Sequence, residues 1–332
     1  MALTVNGSAY LDRLLNDVTR LSGLLTPSND TDHDVDRFVS ACLTLDGTPT
    51  DALMTVTKAK TVLSSSDIAT AGYDAKPGSW QQTLRLTGDT DTDVLLLRAT
   101  ETIGLANALA CPVFSPADTF LREVHKTLTQ GLIADARHGQ FREHDVAVHD
   151  SGTGRVLYQP HMPEHIPDGY VALTDTIDHP QHDPLVTAAL VVYLCHVVQP
   201  FDAANGRLGL STARLLVNHT LPTVSGCEAW LATDKAGFHT EIAKTLRRKD
   251  PTYFVERYVE ACTLALRDTA RTQGALDTSP TLPRAVLATL TTQPFVTVKD
   301  VDPDARDTLL DAGLLTPVAG MHGLKFVSHL AR

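Results

Sequence analysis

Apolar residues recur along the first third of the chain at the three-to-four-residue spacing of a helix. Leu11, Leu14, Leu15, Val18, Leu21 and Leu25 form one such stripe, and Pro27 stands where that helix has to stop. The same spacing predicts helices at about 34–45, 52–69, 92–110 and 116–132, each broken by Gly, Pro or Asp-Thr clusters. Val156, Leu157 and Tyr158, between Gly154 and Pro160, read as a short strand that pairs with Asp145 to Val148 in a hairpin. From Pro184 to Val198 the sequence is strongly apolar, and after Pro200 a helical run resumes from Asn205 to Asn218. Two helices joined by a tight loop fit this pattern.

Arg271 to Thr281 is polar, contains Gly274 and Pro280, and reads as a linker. Beyond it the pattern predicts a helix (Arg284 to Thr291), a strand (Val296 to Val298), a helix (Pro303 to Ala312) with Gly313 after it, and a wing from Leu314 to Val327. The expected organisation is a mainly α protein. It has an N-terminal helical region over 1–90, a core over 91–270, the linker at 271–281 and a small unit over 282–332.

Composition narrows the function classes. With 332 residues, 43% hydrophobic and 20% charged, the chain has material for more than one folded unit and no disorder signature. No run of eighteen apolar residues occurs, and Met1 to Arg20 mixes Asp, Asn and Arg with its leucines, so neither a membrane span nor a signal peptide is expected and the cytoplasm is the expected location. The net charge of -11 disfavours broad attraction to nucleic acid or anionic membranes, while a nucleotide needs only a local site. Five scattered cysteines without a CxxC pair argue against disulfides and structural zinc. The pairs His161/His165 and His179/His182 lie among prolines and aspartates in expected loops, so no metal site is assigned.

Candidate chemistry concentrates in Gln199-Pro200-Phe201-Asp202-Ala203-Ala204-Asn205-Gly206-Arg207. Small residues and Asn-Gly just ahead of a helix let backbone N–H groups converge on an anion, with the positive end of the helix dipole behind them. Arg207 in the first turn can fork onto phosphate oxygens, and the Asn205 amide can hold the loop.

This segment resembles the signature of the Fic family, His-Pro-Phe-x-Asp/Glu-Gly-Asn-Gly-Arg-x-x-Arg, with Phe201, Asn205, Gly206 and Arg207 in register. Gly139-Gln140-Phe141-Arg142 resembles the family's Gly-x-Phe-Arg stretch. Tyr158-Gln159-Pro160 and Pro163-Glu164-His165-Ile166-Pro167 resemble its flap and Pro-rich exit. The resemblance spans about residues 95 to 265 and implies a Fic (Fido) helical core with a small β-hairpin flap. The last fifty residues resemble the winged-helix module that follows many such cores.

In that family the loop His takes a proton from a target hydroxyl that attacks the α-phosphate of ATP, an acidic residue holds Mg²⁺, and a second Arg reaches the outer phosphates. Here those positions are Gln199, Ala203 and Leu210. An amide cannot accept and release a proton near neutral pH, and without a carboxylate at 203 the Mg²⁺ lacks its ligand. Arg214, one turn beyond Leu210, is the candidate replacement for the second Arg. His196 is read as a partly buried histidine at a helix end rather than a substitute base. Ser65-Ser66-Asp67-Ile68-Ala69-Thr70 resembles a remnant of the family's inhibitory Ser/Thr-x-x-x-Glu motif, with Ala69 in place of Glu.

The resemblance therefore implies an AMPylation-deficient regulator or scaffold that binds ATP or another nucleotide at Phe201, Asn205, Gly206, Arg207 and Arg214. Its flap (Val156, Leu157, Tyr158, Gln159) would take an extended partner segment by strand addition. Two other functions remain compatible: a transferase of altered chemistry that uses Gln199 to position substrate, and a transcription regulator acting through the C-terminal unit. In that unit Asp304, Asp307 and Asp311 outnumber Arg306 on the helix that would enter DNA, which favours protein contact or homodimerisation over DNA.

Overall fold

The computed structural model describes residues 5–25, 31–48, 53–64, 90–150 and 153–272, together with 295–297, 309, 315–317 and 325–328. Over these residues the protein is mainly helical. The N-terminal helices are α1 (Ala9–Ser22), α2 (Thr31–Leu45) and α3 (Val56–Ser64), followed by α4 (Thr90–Ala108) and α5 (Ala117–Thr129). The hairpin strands β1 (Val148–His149) and β2 (Val156–Tyr158) come next. They precede α6 (Ile166–Asp178), α7 (Pro184–Val198), α8 (Asn205–Thr220), α9 (Cys227–Thr233), α10 (Lys235–Arg248) and α11 (Thr252–Thr272). None of the described helices is long and apolar enough to cross a membrane.

α7 organises the core. Asp183 caps it by accepting from the Leu185 N–H at 2.9 Å, Pro184 occupies the first turn where its missing N–H costs nothing, and every residue from Leu185 to Val198 is buried. A helix apolar on all faces has to be surrounded, and here α6, α8, α10 and α11 surround it. The closest partner is α8, and Gly209 permits the approach: a Cβ there would lie 2.8 Å from the Cys195 side chain and 3.2 Å from the Val192 backbone. Any larger residue at 209 pushes the two helices apart and with them the loop that joins them.

The hairpin forms where the alternation places it, though shorter and shifted, with Val148 opposite Tyr158 and an irregularity before His149. Pro167 falls in the first turn of α6, so the Pro-rich stretch opens a helix. In the C-terminal unit, β3 (Phe295–Thr297), β4 (Leu315–Pro317) and β5 (Lys325–Ser328) form an antiparallel sheet in the order β3-β5-β4. The helices expected at Arg284 to Thr291 and Pro303 to Ala312 lie outside the described residues except for buried, helical Leu309. So does the Ser65 to Thr70 segment.

Candidate functional site

The loop between α7 and α8 is built on two residues with left-handed backbones. Gln199 ends α7 at φ 42° and Ala204 precedes α8 at φ 59°. Such conformations cost about 1–3 kcal/mol in non-glycine residues and persist only where their surroundings impose them. Gln199 is also followed by proline, which disfavours helical backbone before it. Arg142 supplies the constraint. Its buried guanidinium donates to the Gln199 carbonyl at 2.7 Å, to the His144 carbonyl at 2.5 Å, to the Val198 carbonyl at 3.4 Å and to the His161 carbonyl. Its backbone N–H donates to the Pro200 carbonyl at 2.9 Å, and Phe141 bridges Phe201 as a two-residue ladder. The Gly139 to Arg142 stretch is therefore the outer wall of the loop. Burial lowers the pKa of the Arg142 guanidinium, and the distant carboxylates of Asp145 and Asp202 oppose that shift.

Within the loop, the Asn205 amide holds both ends of one residue. Its oxygen accepts from the Phe201 N–H at 3.0 Å and its nitrogen donates to the Phe201 carbonyl at 2.8 Å. The fully buried Phe201 ring stacks against the His125 imidazole of α5, with centroids 4.2 Å apart. His125 Nδ1 accepts from the Gly139 N–H at 3.1 Å, which places its proton on Nε2. Burial pushes its pKa down to about 4, so the ring is neutral at pH 7. His125 thus ties α5 to the outer wall and the loop, a role that sequence spacing did not reveal.

Asp202 turns away from the helix end. Arg137 donates to it at 2.6 Å, a bond that raises the pKa of the Arg137 guanidinium, and His144 stands 3.8 Å off. Ala203 faces a small apolar cluster of Leu132 and Ile133, joined by Leu97 of α4. Leu210 is 1% exposed and belongs to the main core. Among the described residues no group of three or more His, Cys, Asp or Glu side chains is placed to hold a metal ion.

Arg207 is the loop's cation, and the protein's own carboxylates hold it. Asp46, just beyond α2, lies 2.8 Å from its Nε, and Glu101 of α4 lies 3.2 Å from its Nη1. Glu101 is itself paired with Arg98 at 2.6 Å. Gly206 makes the Asp46 approach possible, since a Cβ there would stand 2.9 Å from Asp46 Oδ1 and 3.1 Å from His196 Nε2. His196 is buried behind the loop, its Nδ1 bonded to the Val192 carbonyl at 2.8 Å, and burial pushes its pKa down to about 4.

The remaining expected residues are dispersed. Arg214 is 1% exposed, and its guanidinium is taken up by Asp34 at 3.1 Å, Glu228 at 3.6 Å and the Val224 carbonyl at 3.4 Å. Its charge is held in a buried ion cluster over Phe38. Of the flap residues, Val156 is exposed, Leu157 partly buried, Tyr158 buried and Gln159 exposed.

Residues 117–220 match the family model described as Fic/DOC family. Over that span the chain is similar to the Fic/DOC family. The matched span runs from α5 through α8 and so contains the outer wall, the flap and the whole α7–α8 loop. The overall fold is similar to that of a Fic family protein from Desulfovibrio desulfuricans G20, with a TM-score of 0.62 at 14% identity over 99% of this chain and 98% of that chain. It is also similar to a Fic-1 fragment from C. elegans, with a TM-score of 0.50 at 16% identity over 80% of this chain and 72% of that chain. No curated protein matches the chain in sequence. At these identities the two structures speak for the fold alone. The mainly helical Fic fold holds the loop between its two most closely packed helices.

Proposed function

We propose that this Fic-like protein is deficient in AMP transfer and acts as a regulator or scaffold, with an anion pocket that takes a nucleotide or other phosphate ligand weakly. The observation that carries this reading is the occupation of Arg207 by Asp46 and Glu101 at 2.8 and 3.2 Å, which an incoming phosphate has to displace. Two further features support it. Gln199 offers no proton acceptor at the base position, and Ala203 sits among Leu97, Leu132 and Ile133, where a hydrated Mg²⁺ finds no oxygen ligand. The flap residues Val156 to Gln159 and the C-terminal unit are the surfaces this reading gives to protein partners.

The test is label transfer from α-labelled ATP with Mg²⁺, comparing the wild type with a Gln199→His/Ala203→Asp variant. General-base catalysis is worth about 10² to 10⁴ in rate, so the wild type should be slower by at least that factor. Transfer by the wild type at a rate near the variant's would overturn the proposal. Binding gives an independent readout. Asp46→Ala/Glu101→Ala should take up pyrophosphate about tenfold more tightly than the wild type, as ~1.4 kcal/mol of internal ion pairing no longer competes. Adding Arg207→Met should cancel the gain in calorimetric titration. Equal affinities in all three proteins would mean that Arg207 is not the anion's partner.

A further inference from the structure

α1 packs along α11, and the contact carries two carboxylates with little access to water. Glu256 and Glu260 lie four apart on one face of α11 and are 5% and 8% exposed. The Ser8 hydroxyl donates to Glu256 at 2.5 Å while accepting from the Leu11 N–H at 3.0 Å, so the residue that caps α1 also fastens it to α11. One turn along, the Tyr10 hydroxyl donates to Glu260 at 3.1 Å. Leu11, Leu14, Val18 and Leu21 fill the seam beneath, each 5% exposed or less.

The charged groups facing Glu260 bear on its protonation. Around Glu260 stand Tyr10, Glu256, Arg257 and Arg267. Arg257 points away, reaching Asp234 at 2.9 Å. Arg267 bonds Asp17 of α1 at 2.9 Å, in the field of Arg13 and Arg20, and also donates to the Leu315 carbonyl of β4 at 3.4 Å. Arg257 is thus engaged by Asp234 and Arg267 at the far end of α1, and two carboxylates share the Ser8–Tyr10 end.

We propose that α1 is a proton-controlled strap, closed while Glu260 is protonated and loosened at its Ser8–Tyr10 end when Glu260 is ionised, with Asp17–Arg267 retaining the other end. Burial, with help from Glu256, pushes the Glu260 pKa up to about 7, against 4.5 for an ordinary glutamate. The open strap, with Glu260 in water, releases its proton at lower pH than the closed one, so the open fraction grows as pH rises from about 4.5 to about 7 and levels off above. Each unit of difference is a factor of ten, so the open-to-closed ratio should rise on the order of a hundredfold across that window.

Hydrogen exchange of the full chain at pH 5 and pH 8, corrected for intrinsic rates, tests this, with the α7 amides as a reference for global opening. In the wild type the opening constant of α1 should rise on the order of a hundredfold relative to α7. Glu260→Gln keeps the shape and the acceptor for Tyr10 and should abolish the rise, whereas Glu256→Gln should shrink it by removing the neighbouring charge. Wild-type α1 tracking α7 across the window would overturn the proposal, and so would a Glu260→Gln strap that opens with the wild-type dependence. The wild-type arm and the Glu256→Gln arm decide the matter if Glu260→Gln does not fold.

Discussion

Arg142→Met should lower stability by about 3–5 kcal/mol, although it removes a buried charge with no carboxylate bonded to it. Two effects compete. Burying a guanidinium costs several kcal/mol, which methionine avoids. Against that, the guanidinium serves four carbonyl oxygens, from Val198, Gln199, His144 and His161, and hydrogen bonds to a charged group contribute about 1.5–3 kcal/mol each. Two of those carbonyls end α7, where a cation also meets the negative end of the helix dipole. The left-handed Gln199 before Pro200 is held at its carbonyl by Arg142, and it relaxes once that bond is gone. The acceptors therefore win. Urea denaturation should show the loss, and exchange should rise first at 199–205. Arg142→Lys should recover less than half, because an ammonium cannot reach carbonyls on three segments with one planar fork. A methionine variant as stable as the wild type would mean that the carbonyls are solvated and that the loop conformation is held by Asn205 alone.

What could be read from the sequence divides along the range of the interactions. The helix stripes of α1, α4 and α5, and the apolar run of α7, are local patterns with one packing solution each. Asn205 clamping Phe201 spans four residues, so spacing is enough to suggest it. The hairpin was visible in alternation, but its register depends on a bulge that alternation cannot encode.

The charge partners of Arg207 were not legible, because each lies far away in the chain. Arg207 meets Asp46 and Glu101, which precede it by more than a hundred residues, and Asp46-Gly47 at a helix end is an ordinary terminator. Helical spacing put Arg214 on the face of Leu210, yet spacing cannot show that Asp34 and Glu228 wait there for its charge. His125 left no signal beyond its place in an amphipathic stripe, where a buried histidine looks like any polar exception to the pattern.

Leu210→Arg carries the second large effect, and it decides how far the loop stands from a working phosphate site. Leu210 is 1% exposed and part of the main core. An arginine there adds volume and an ionic group in place of an apolar one, which should cost about 3–5 kcal/mol in chemical denaturation. If the side chain snorkels back one turn along α8 toward Asp46 and Glu101, it meets carboxylates that already neutralise Arg207. Two guanidinium groups competing for the same two carboxylates leave one buried without a partner, so the reach outward does not remove the cost. Replacing Asp46 or Glu101 in addition should deepen the loss, whereas Leu210→Met, matched in volume and uncharged, should cost less than ~1.5 kcal/mol. A loss below ~1 kcal/mol for Leu210→Arg would mean that the core opens at this point and that the loop lacks little more than an arginine. The reading of an AMP-transfer-deficient loop would then weaken, because the position would be a vacated ligand site rather than a filled part of the core.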